Sequence, residues 1–154
     1  MKLTAADIAK YPKFAQYVRV KIPELVHVKS VMFNLKSKGS MTDAQVRDAL
    51  RWGAEPLIVI TDLSGGQCGV PSAYGCTRST NLHQIEIDEG TVADFEKAPY
   101  SLGVGKNARG QNVFIVGVTL LHELTHVGKF LKAEVEATEA GADYEIGAYG
   151  KVIP

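Results

Sequence analysis

Thr119-Leu-Leu-His122-Glu123-Leu-Thr-His126-Val127 is the stretch that decides how this chain reads. On a helix, residues four apart share one face and sit a turn from each other. Two imidazoles so placed can hold one metal ion through their ring nitrogens, and neutral imidazole is a good zinc ligand at pH 7. Glu123 lies beside the first of them. Its carboxylate can take a proton from a metal-activated water and pass it to a leaving amine. With 4 histidines in 154 residues, shuffling gives about 0.007 His-Glu-x-x-His matches per chain. The flanks Thr119, Leu120, Leu121, Leu124, Thr125 and Val127 are uncharged, as a metal helix lining a cleft through a core requires. A buried helix whose histidines hydrogen-bond to their neighbours is the plainer alternative.

A catalytic zinc needs a third protein ligand and an open fourth position. Lys132 stands where the metzincin extension would require histidine, and no histidine follows His126. The third ligand is therefore expected to be a carboxylate, with Glu134, Glu136, Glu139, Asp143 and Glu145 as candidates. Glu134 and Glu136 alternate with Ala133, Val135 and Ala137 soon after Gly128, which reads as an exposed connection. Glu145 lies in the stretch from Gly141 to Gly150, where a second helix can return it to the metal. It ranks first, ahead of Asp143 and Glu139. Either of those two can instead hydrogen-bond a ligand histidine from behind.

Working outward, the first third of the chain reads helical. Thr4 is a capping residue, and Phe14, Tyr17, Val18 and Val20 follow before Pro23 interrupts. Leu25, Val28, Val31, Met32 and Leu35 have helical spacing up to Gly39, and Ser40 or Thr42 can cap a helix from Asp43 to Trp52. Leu57-Ile-Val-Ile-Thr is a β-branched run, hence a strand. Residues 64–80 read as a Gly-rich loop. His83 to Asp88 alternates polar and apolar, the mark of a half-buried strand, and a short helix follows from Thr91. Gly103, Gly105 and Gly110 mark a loop, Val113 to Val127 is mostly apolar up to Gly128, and one more helix can form between Thr138 and Tyr149. The expected fold is α+β: a small sheet packed on a central His-Glu-x-x-His helix. One domain is expected over residues 1–154, with a helical part and strand in 1–80 and the metal-binding part in 81–150.

Composition excludes several classes. Lys+Arg and Asp+Glu number 17 each, so the basic excess of a non-specific nucleic-acid or anionic-lipid binder is missing. No apolar run approaches the roughly 18 residues that would span a bilayer, and the early acid in Met1-Lys-Leu-Thr-Ala-Ala-Asp7-Ile8 argues against a secretory signal. Cys68 and Cys76 are separated by two glycines, a proline and a serine among seven residues. A disulfide closing that loop is plausible and slightly favoured over two free thiols.

The helix with its downstream glutamate resembles the gluzincin arrangement. More narrowly, residues 85–96, 120–128 and 141–150 resemble the zincin-like metallopeptidase toxins of bacterial polymorphic toxin and type VI secretion systems; the last stretch carries a Glu145-x-x-x-Tyr149-Gly150 ending. The resemblance implies a zinc metallopeptidase with Zn2+ held by His122, His126 and Glu145, and Glu123 as the base. It also implies an effector toxin carried into a target cell by a specialised secretion system, a protein or peptide substrate, and a cognate immunity protein covering the cleft. Rival readings are a peptidoglycan cross-peptide endopeptidase or amidase, a non-catalytic zinc-stabilised binding module, and a metal-free helical interaction protein. Among other residues, Tyr144 or Tyr149 can donate to a developing oxyanion or simply pack. His83 can line the cleft or lie exposed, and strand 83–88 can pair with an extended substrate along its edge.

Overall fold

The computed structural model describes residues 1–66, 68–69, 71–134 and 138–154. Helix α1 (Ala5–Lys10) opens on Thr4, whose hydroxyl accepts the Asp7 N–H at 3.1 Å. Helix α2 (Pro12–Glu24) begins on a proline, which gives up no hydrogen bond at that position. Pro23 does not interrupt it; the helix ends one residue later and passes into a 3-10 turn at Leu25–His27. Helix α3 (Lys29–Lys38) therefore starts later than the apolar series suggests, and Val31, Met32 and Leu35 form its buried face. Helix α4 (Asp43–Leu50) has a full capping box between Thr42 and Gln45 and stops two residues short of Trp52.

Strands β1 (Leu57–Thr61), β2 (Gly75–Cys76) and β3 (Gln84–Asp88) form a sheet in the order β1-β3-β2. β1 and β3 run parallel with Ile58 opposite Ile85 and Ile60 opposite Ile87, while β2 runs antiparallel to β3. The alternation read in β3 is real: Ile85 and Ile87 are fully buried and their neighbours half-buried. Helix α5 (Glu89–Lys97) is capped by Asp88. Strands β4 (Val104–Lys106) and β5 (Asn112–Phe114) make a hairpin where a plain loop was expected. Asn107 Oδ1 accepts the Arg109 and Gln111 N–H groups and shapes its turn, a local signal masked by the surrounding glycines.

Helix α6 (Ile115–Leu131) is the axis of the molecule. It runs on through Gly128, because one glycine weakens a helix without ending it. Val116, Leu120, Leu121, Leu124 and Val127 are buried. They pack with Val31 and Leu35 of α3, Val92 and Phe95 of α5, and the β3 isoleucines in one apolar cluster. Each such side chain contributes on the order of 1.5–3 kcal/mol by leaving water. Helix α7 (Ala140–Tyr149) packs against both α6 and α3 and ends on left-handed Gly150. The architecture is the α+β arrangement read from the sequence, with β2 and β3 lying on the His-Glu-x-x-His helix.

Candidate metal centre

The core-facing stripe of α6 fixes the helix rotationally, and this aims His122 and His126 at the start of α7. The two rings lie 5.1 Å apart, centre to centre. Between them sits Glu139, the N-cap of α7, whose Oε1 is 2.6 Å from His126 Nε2 and 3.3 Å from His122 Nε2. One donor atom from each of the three residues falls within 4.8 Å of the others. The Glu139 carboxylate also accepts the Gly141 and Ala142 N–H groups at the open end of α7, which holds it in place. Gly141 makes the approach possible: a Cβ there would lie 2.2 Å from His122 Nε2.

Glu145, ranked first from the sequence, meets His122 on the other side of the ring. His122 Nδ1 donates to its Oε1 at 2.6 Å, which leaves Nε2 directed at the Glu139 group. Asp143 accepts from Thr138 Oγ1 at 2.7 Å, and Glu134 pairs with Lys129 and Ser40. Glu136 lies outside the described residues. Glu139 was thus among the sequence candidates but behind Glu145. The signal that could have raised it is its position just before the Ala140-Gly-Ala start of a helix, where a side chain caps and turns toward the neighbouring element.

Glu123 is buried between α6 and β2. Gly75 allows that contact: a Cβ there would lie 2.9 Å from Glu123 Oε1. Thr77 Oγ1 donates to the Glu123 carbonyl at 3.1 Å and fastens the end of β2 to α6. Cys76 of β2 is joined to Cys68 by a disulfide, with Cα atoms 5.8 Å apart. The edge strand, the bridge, Phe130 and the three candidate ligands enclose a cleft of about 720 Å³. A smaller recess of about 310 Å³ opens past Gly75 between Tyr74, Val118 and Val152.

The charges are strongly coupled. Burial pushes the Glu123 carboxyl up, against the pull of His122 and His126. Burial also disfavours a charged His122, but the carboxylates on its two sides outweigh this and raise it to about 10. Glu139 meets a burial cost too, yet its contacts with both imidazoles hold it well below the usual carboxylate range. Two imidazole nitrogens and a carboxylate oxygen on one small volume are a fitting donor set for a divalent metal of the zinc type.

Other expectations come out differently. Strand β3 has β1 along one side, and β2 takes the other at Glu86 and Ile87; β2 is the strand that borders the cleft. Tyr144 is fully buried against the Tyr149 ring, and neither lines the cleft, so no oxyanion role falls to them. His83 is exposed and pairs with Glu55 away from the site.

The chain matches the metallopeptidase toxin 3 family over residues 7–150. It belongs to that family. The matched span of this metallopeptidase toxin domain takes in α6, the histidine pair, Glu123, Glu139 and Glu145. No curated protein and no solved structure matches it.

Proposed function

We propose that this metallopeptidase toxin domain is a zinc-dependent peptidase in which His122, His126 and Glu139 hold Zn2+, Glu145 orients His122, and Glu123 is the general base. The convergence of the three donor groups beside a buried Glu123 carries the reading. Zn2+ held there would supply a Lewis acid that lowers the pKa of water and polarises a carbonyl.

The chain's own residues do the rest. Glu123 takes a proton from the attacking water as its oxygen adds to the scissile carbonyl carbon. It then delivers that proton to the leaving nitrogen as the C–N bond breaks, so water divides between the two products. Its burial supports proton transfer in both directions, since a carboxylate kept from bulk water gives its proton up to the amine rather than to solvent. β2 offers main-chain groups along the cleft, where an extended peptide can pair antiparallel or parallel to it. As a toxin, the domain would reach its substrate inside a target cell through a specialised secretion system, and a cognate immunity protein would cover the cleft.

Glu123→Gln tests the reading. The variant should keep its zinc and its thermal stability, while hydrolysis of casein or of cell-wall peptide falls about 10²–10⁴-fold, as loss of a general base implies. An unchanged rate on whichever substrate the wild type cleaves would remove Glu123 from the chemistry.

A further inference from the structure

The segment after α7 reaches back to the metal centre. Gly150 turns the chain with φ 80°, and Ile153 becomes buried. Its Cγ2 lies 2.5 Å from where a Cβ on Gly105 of β4 would stand, so that glycine receives the side chain. The Ile153 N–H donates to Glu145 Oε2 at 2.6 Å. The other oxygen of the same carboxylate accepts from His122 Nδ1 at 2.6 Å. Glu145 is only 4 % exposed, so each oxygen takes its donor from the protein rather than from water. Residues 151–154 lie past the span matched to the family.

We propose that the Ile153 main-chain amide is a positioning group for the metal centre, fixing Glu145 so that His122 keeps Nδ1 as donor and presents Nε2 to the ligand cluster. The inference rests on His122 being a metal ligand. A buried carboxylate that loses one of two donors rotates to find another, and the imidazole it orients follows. Partners behind a ligand histidine typically change metal affinity by about 10–100-fold. The amide acts one step further out, so a loss of about tenfold is expected.

Three substitutions separate the amide from the side chain that carries it. Ile153→Pro removes the N–H and keeps apolar bulk, Ile153→Gly keeps the N–H and removes the bulk, and Ile153→Val keeps both. The zinc dissociation constant of each is read by competition with a chromophoric chelator. The Co2+-substituted proteins report ligand geometry through their visible spectra. Ile153→Pro should bind zinc about tenfold more weakly with an altered cobalt spectrum, while Ile153→Val and Ile153→Gly stay near wild type. Equal weakening in Ile153→Gly would make the effect one of packing and overturn the proposal, as would wild-type affinity in Ile153→Pro. Should Ile153→Pro not fold, the wild type decides: its Ile153 amide resonance should shift on zinc loading, and a resonance that stays put overturns the proposal. A wild type that binds no zinc would instead sink the functional reading on which this rests.

Discussion

His122 is held by a carboxylate at each of its two ring nitrogens, and the consequences are those of a proton standing in for a cation. Without metal its pKa is about 10, against about 6.5 for an unperturbed histidine. The ring is therefore charged at neutral pH, and a metal that takes Nε2 must displace a proton. Calorimetric zinc titrations at pH 7.5 in two buffers of different ionisation enthalpy should show release of about one proton, fading as pH approaches 10; equal heats in the two buffers would contradict this. The stability linkage has a definite sign. The folded pKa is raised, so the metal-free protein keeps this contribution below about pH 6.5 and loses it as pH rises toward about 10. His122, Glu123 and His126 were legible at this scale because their spacing needs only one helix to bring them together. Glu139 was named but ranked behind Glu145, because the choice between them depends on how α7 returns along α6.

At the scale of elements, the cleft depends on β2, a strand too short for alternation to announce it. It exists because β3 offers it an edge, Gly75 lets it lie against Glu123, and Cys76 ties it to Cys68. Residues 64–80 therefore read as loop in the sequence, although the cysteine pair within them was legible from its spacing. Closing a loop of this size stabilises the fold by about 2.5 kcal/mol through the unfolded chain. Reduction should lower the melting temperature by about 5–10 °C, and Cys68→Ser/Cys76→Ser should reproduce that shift without reductant. Coincident melting curves for oxidised and reduced protein would show that the bridge adds nothing. The β4–β5 hairpin was hidden for a related reason: its strands are three residues each, and a side-chain cap on its turn, rather than apolar patterning, defines it.

Across the molecule, the apolar stripe of α6 organises nearly everything else. One side of the helix carries the core shared by α3, α5, β3 and Tyr144 of α7, and the adjoining side carries the histidines into the cleft. The α+β class was legible because that long apolar run and the two isoleucine-rich strands are strong local patterns. The antiparallel return of α7 was not, although it decides which carboxylate sits between the two imidazoles. The assignment of His122, His126 and Glu139 as one zinc centre is thus the point on which the functional account rests. Anomalous diffraction at the zinc edge, from crystals of the zinc-loaded chain, tests it most directly. The account predicts one peak about 2.0–2.2 Å from His122 Nε2, His126 Nε2 and a Glu139 oxygen, with Glu145 still on Nδ1 of His122. No peak between the two rings, or a peak bound by Glu145 in place of Glu139, would contradict it.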